Sequence, residues 1–189
     1  MAQYYYFVSS LPLLNFDQSP PMGVSSFLSE CSALLQEKDY RILESVLLDR
    51  DCEFSSDFAR NIREWFRAFN NALVVFRASR LGVGAEKWLR GMPDGYFSEM
   101  IKPVFQHDSV VGKQEALYKF VWSFLDECGA GHFFDLEALI VYGLRLSLLE
   151  ARSVQTLERG ASVFDKVFDN LKFSEIQEKL PFGESNDYR

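Results

Sequence analysis

The chain has 189 residues, about half of them hydrophobic and a quarter charged, with a formal net charge of -7. That length buries a core without disulfides or metals. The acidic balance argues against a phosphate backbone as partner. No run of five like charges and no polybasic stretch stands out, which argues against anionic lipid. Cys31, Cys52 and Cys128 are widely spaced and form no CxxC pair, so they read as free thiols in a reducing compartment. Residues 1–14 have neither a basic n-region nor a small-residue cleavage site, and no apolar stretch spans a bilayer. These features predict a cytoplasmic protein. The aromatic content of 15%, with 18 phenylalanines, is high; a packed core absorbs much of it, and any rings left over are available to a partner surface.

In chain order, Tyr4-Tyr5-Tyr6-Phe7-Val8 opens an apolar segment whose periodicity does not separate strand from helix. Pro12 stops it, and Pro20-Pro21 mark a loop. Ser25 is the expected cap of a helix carrying Phe27, Leu28, Cys31, Leu34 and Leu35. A short helix follows from Tyr40 to Leu48, with Leu43, Val46 and Leu47 inward. Ser55, Ser56 and Asp57 then offer caps for a long helix. Its Phe58, Ile62, Trp65, Phe66, Phe69, Leu73 and Phe76 fall within about a 100° arc. Gly82 and Gly84 end it. A helix from Tyr96 to Gln106, broken or kinked at Pro103, and another from Lys113 to Cys128 come next. Asp135 caps a last long helix running to about Arg159, with Gly160 as a kink before Val163, Phe164, Val167, Phe168 and Leu171. The pattern predicts an all-α fold, an antiparallel helical bundle with long central helices. One domain covers residues 1–180, and 181–189 form a loose tail.

The chemistry-bearing residues are sparse. His107 and His132 sit in different loops, and His132 has Asp135 three residues on; a loop or capping role outweighs a metal site. Leu81-Gly82-Val83-Gly84 resembles part of a phosphate loop but lacks its strand and its Lys-Ser/Thr, and a helix C-cap explains it better. The expectation is no catalytic centre, no cofactor and no metal.

Two constellations remain. Arg60, Arg63 and Arg67 line the helix face opposite the aromatic stripe. They form either a solvated face or a docking stripe for an acidic partner helix. Arg77 and Arg80 fall at the edge of, or within, the apolar arc. Glu150 falls on the apolar face of the last helix with Leu136, Leu139, Ile140, Leu146, Val154 and Leu157. A carboxylate there needs a partner, and pairing with Arg77 or Arg80 is the structural expectation. The rival is an acid acting with His132 or His107. Gly143, Ser147 and Ala151 form a small-residue stripe suited to close helix approach.

Three segments carry a family resemblance. The opening from Tyr4 to Pro12, the stretch from Trp65 to Gly82 and the stretch from Trp122 to Glu150 occur in the order seen in an uncharacterised bacterial family encoded among V-type ATPase genes. The last is the best match. It includes Phe124-Leu125-Asp126-Glu127, His132-Phe133-Phe134-Asp135-Leu136-Glu137 and Tyr142-Gly143-Leu144-Arg145-Leu146. That family resembles, distantly, the ATPase C (d) subunit, a helical socket seating the central rotor shaft on the membrane proteolipid ring. The resemblance implies a non-catalytic subunit or assembly factor of a V-type ATPase, peripheral to the inner membrane through its partners. The alternative is a stand-alone helical adaptor or regulatory module.

Overall fold

A computed structural model describes residues 2–50, 56–91, 95–107 and 109–154. Of these, 76% are helical, in seven α-helices and two short 3₁₀ helices, with no strand among them. The all-α expectation therefore holds. The helices are α1 (Ala2–Ser10), α2 (Val24–Leu34), α3 (Glu37–Leu47), α4 (Asp57–Leu81), α5 (Gly95–Ile101), α6 (Val110–Gly129) and α7 (Leu136–Val154). By internal contacts the chain divides into residues 1–150 and 151–189, and only 151–154 of the second unit, the end of α7, are described. The core clusters and the groove described below lie in the first unit. Cys52, Ser55, Leu157, the expected kink at Gly160 and the tail 181–189 lie outside the described residues.

The ambiguous opening is a helix. Tyr4, Phe7, Val8 and Leu11, spaced i, i+3, i+4 and i+7, all pack on one core cluster, while Tyr5 and Tyr6 are exposed. The Tyr4 hydroxyl donates to Asp39 of α3, and the Tyr142 hydroxyl of α7 donates to the Pro12 carbonyl at 3.0 Å. Helix α2 corrects one expectation: its N-cap is Gly23, with no side-chain capping bond, and Ser25 sits inside the first turn.

Helix α4 begins and ends as its sequence predicts. Ser56 Oγ accepts from Ala59 N at 3.3 Å, satisfying one orphan donor. Gly82 takes a left-handed φ of 67°. With it, Val83 N donates to Ala78 O at 3.1 Å and Gly82 N to Ser79 O at 3.4 Å, which is the Schellman pattern. The Gly-rich run is thus a helix end. Pro103 lacks an N–H, and the chain changes there from α5 to a 3₁₀ helix over Lys102–Gln106. Helix α7 starts where Asp135 Oδ1 accepts from Ala138 N at 2.9 Å.

Two core clusters result. Phe7, Phe27, Cys31, Leu43, Ile62 and Leu146 anchor the first; Phe69, Leu73, Ile101, Val121, Leu125 and Val141 anchor the second. Helices α4 and α7 contribute to both, so they are the central elements the sequence implied. Gly143 is needed at the first: a Cβ there would lie 2.7 Å from Leu47 Cδ1 and 2.9 Å from Phe27 Cε1. This is the close helix approach expected of the small-residue stripe, although Ala151, its third member, is exposed. No described helix is long and apolar enough to cross a membrane.

Burial leaves a pH signature. The Cys31 thiol, fully buried, is pushed up from 9.0 to about 12, and the Tyr142 hydroxyl from 10.0 to about 12, both chiefly by desolvation. The folded chain therefore holds these protons more tightly than the unfolded chain. Stability is fully present below the unfolded values and is lost as pH rises through the folded ones. The melting temperature should fall between pH 9.0 and about 12. In Cys31→Ala that fall should be shallower; an equal fall in both proteins would remove the thiol as its cause.

Candidate functional site

Along α4, Arg60, Arg63, Arg67, Asn70 and Val74 share an arc of about 80° on the helix, away from the aromatic face. In the fold this face is the base of a groove of about 1230 Å³. Ser45, Val46 and Asp49, from the end of α3, form one wall; Trp88, Arg90 and Gly91, from the segment after α4, form another. Ile62, Phe66, Leu73 and Leu144 supply apolar lining. Among the described residues, five arginines line it, at 60, 63, 67, 77 and 90, against two carboxylates, Asp49 and Glu64. The described lining thus carries a surplus of three positive charges, on a chain whose net charge is -7. Such a local field attracts anions irrespective of the global balance.

The wall carrying Trp88 and Arg90 is fixed by one side chain. Asn71 is 3% exposed. Its Nδ2 donates to the Arg90 carbonyl at 3.0 Å, and its Oδ1 accepts from the Arg90 N–H at 3.0 Å. Both backbone groups of Arg90 are satisfied by a single buried amide, which pins the connector to α4.

The arginines differ in their partners. Arg60 Nη1 lies 2.9 Å from Asp57 Oδ1. Asp49 serves two of them: its Oδ1 is 4.0 Å from Arg63 Nη2 and its Oδ2 is 3.4 Å from Arg90 Nη1. Asp49 has a φ of 48°, a left-handed conformation that Asp and Asn accept more readily than most residues. Arg67 and Arg77 have no hydrogen bond or ion pair among the described residues.

The predicted stripe, Arg60, Arg63 and Arg67, is therefore brought together in the groove, with Arg63 largely shielded. The predicted scaffold pairing is not formed. Arg77 opens into the groove, and Arg80, exposed in the last turn of α4, lies over the Phe76 ring at 5.1 Å. Neither is ion-paired to Glu150. A Cβ placed on Gly23 would lie 3.2 Å from Glu150 Oε1, so this carboxylate sits at the N-terminus of α2, where orphan N–H groups favour negative charge. Helical faces set which side of α7 Glu150 occupies, and the start of α2 lies beside it.

The remaining chemistry-bearing residues are dispersed. His132 Nδ1 is 2.7 Å from Asp135 Oδ2, and ligand atoms of His132, Asp135 and Glu137 lie within 4.8 Å of one another. Both Asp135 oxygens are engaged, one by His132 and one by the Ala138 N–H, so the geometry is that of a helix cap. Asp135 and Glu150 are fifteen residues apart on one helix, about 22 Å along its axis, which keeps His132 away from Glu150. His107 packs beside Gly112 at the start of α6. None of the three lines the groove.

Asp49, Asn71, Trp88 and Arg90 were not distinguishable as site residues from sequence. Trp88 and Arg90 reach the groove through a connector whose path depends on the Asn71 clamp, and Asp49 through the turn after α3. An asparagine pair at 70–71 inside a helix is the one local irregularity that marks it. The fold and groove together define an all-α protein with a cationic, partly apolar concavity. No family model, curated protein or solved structure matches the chain.

Proposed function

We propose that the protein is a non-catalytic helical subunit or assembly factor that receives an acidic surface of a partner protein in the arginine-lined groove. The observation that carries this reading is the concentration of five arginines over apolar lining on an otherwise acidic chain. We assign the partner to a bacterial V-type ATPase, at its rotor shaft or membrane proteolipid ring, on the family resemblance. The resembling segments correspond to α1, to α4 from Trp65 through its Gly82 cap, and to the end of α6 with α7. A socket comparable to the C (d) subunit needs stiff walls and polar complementarity rather than reactive groups. The Asn71 clamp and the aromatic packing of α4 supply stiffness of that kind. Membrane association would then be peripheral, on the cytoplasmic side, through partner subunits. A stand-alone adaptor would use the same groove on an unrelated partner.

Charge reversal tests the reading. The double variant Arg63→Glu, Arg67→Glu should cut capture of V-type ATPase subunits from the protein's own cell extract by about tenfold or more. It should leave the domain folded, since Arg67 is exposed and the Arg63 side chain, 26% exposed, lines the groove and not the core. Unchanged capture would remove the groove from the partner contact. Unfolding of the variant would contradict the exposed role of these residues.

A further inference from the structure

We propose that Arg67 and Arg77 are the anchor points of the groove and that Asp49 is a built-in competitor for its partner. In the free protein the Asp49 carboxylate stands between Arg63 and Arg90, where a carboxylate of an acidic partner segment stands in the complex. This rests on the interaction role proposed above and specifies its chemistry. The five arginines are not equivalent. Arg60 is neutralised by Asp57 at 2.9 Å, and Arg63 and Arg90 share Asp49. Arg67 and Arg77 have no such partner among the described residues, although both line the concavity. Desolvating an already paired charge returns little, whereas an unpaired one gains its first counter-ion from the ligand.

The spacing and lining select the occupant. Arg67 and Arg77 are ten residues apart, about 15 Å along α4, with the apolar side chains of Leu73 and Val74 within that interval. Trp88, 57% exposed, stands on the opposing wall. A segment of polypeptide with separated carboxylates and apolar residues between them matches this lining. A uniformly charged nucleic acid leaves the apolar lining unused and is repelled by the acidic remainder of the chain.

Asp49 is suited to exchange. Its contacts, at 3.4 and 4.0 Å, are long, and its side chain is 69% exposed. Breaking them costs little, but while they persist they occupy two of the five cations. Asp49→Asn is a clean probe, because Asn also accepts the left-handed backbone and keeps the size of the side chain.

The test is fluorescence anisotropy with a fluorescein-labelled helical peptide of Ala, Leu and Glu, carrying glutamates at the ten-residue spacing, and a Gln-for-Glu control. Asp49→Asn should tighten binding of the Glu peptide by about three- to tenfold, while Arg67→Ala and Arg77→Ala each weaken it about tenfold and Arg60→Ala less than about threefold. Thermal midpoints should stay close to wild type in all four. Unchanged or weaker binding by Asp49→Asn would overturn the competitor role. Dominance of Arg60 over Arg67 and Arg77 would overturn the anchors. Equal binding of the Gln peptide, tighter binding of an oligouridine RNA, or no binding of the Glu peptide by wild type would each overturn the assigned ligand class. If wild type still captures ATPase subunits from extract in a groove-dependent way while these variants are neutral, the inference fails and the interaction role survives; loss of both removes both.

Discussion

Trp65→Ala should destabilise the protein by about 3–5 kcal/mol, in the range of buried aromatic truncations. The melting temperature should drop by about 10 °C for a chain of this size. The Trp65 ring is stacked on Phe124 of α6 at 3.7 Å with 4° between planes. It also meets Phe69 at 5.2 Å, Phe97 of α5 at 5.4 Å and Phe120 of α6 at 5.8 Å. One side chain thus joins three helices, and its removal leaves a space bounded by other rings that close-packed neighbours refill poorly. Trp65→Phe keeps a ring in the stack and should lose less than half as much. Equilibrium urea unfolding decides it: a loss below about 1 kcal/mol for Trp65→Ala would mean the second core cluster does not depend on this stack.

Asn71→Ala should cost about 2–3 kcal/mol, because two hydrogen bonds disappear and the Arg90 N–H and carbonyl lose their partner together. Its larger effect should be local. Without the clamp, the wall bearing Trp88 and Arg90 is released from α4, and partner capture should fall although no groove arginine has changed. Asn71→Asp separates the two contributions. It retains an acceptor for the Arg90 N–H but has no donor for the Arg90 carbonyl, so capture should be intermediate between wild type and Ala. Limited proteolysis gives the direct readout, with cleavage between residues 82 and 91 accelerated in Asn71→Ala. Destabilisation without faster cleavage there would place the amide's role in the core and not in the groove.

The legible parts of the sequence were those governed by local rules. Ser56, Gly82, Asp135 and Pro103 each act through their own backbone neighbourhood, and each does what its residue type demands. The opening helix was obscured because Tyr5 and Tyr6 fill positions that face solvent, hiding the 4, 7, 8, 11 spacing beneath an unbroken apolar run. At α2, Ser25 drew the cap from the sequence, but the chain turns at Gly23, one residue before Val24 begins the helix. For the site, the 3.6-residue period placed Arg60, Arg63 and Arg67 on one face and the structure lines a groove with them. The period could not say what lies opposite. Arg77, at the border of the apolar arc, looked like scaffold; the connector at Trp88 and Arg90 extends the groove to include it. Glu150 was expected to pair with Arg77 or Arg80; neither arginine is ion-paired to it, and its Oε1 lies beside Gly23 at the start of α2, an approach that only tertiary packing decides.

The proposed V-type ATPase partner of the groove is tested by affinity capture of the tagged protein from its own cell extract, with bound proteins and crosslinks read by mass spectrometry. The account predicts recovery of V-type ATPase subunits above a matched acidic control, with crosslinks clustering on α4 and on the segment carrying Trp88 and Arg90. Recovery of no ATPase subunit, with the ATPase intact in the input, would contradict it.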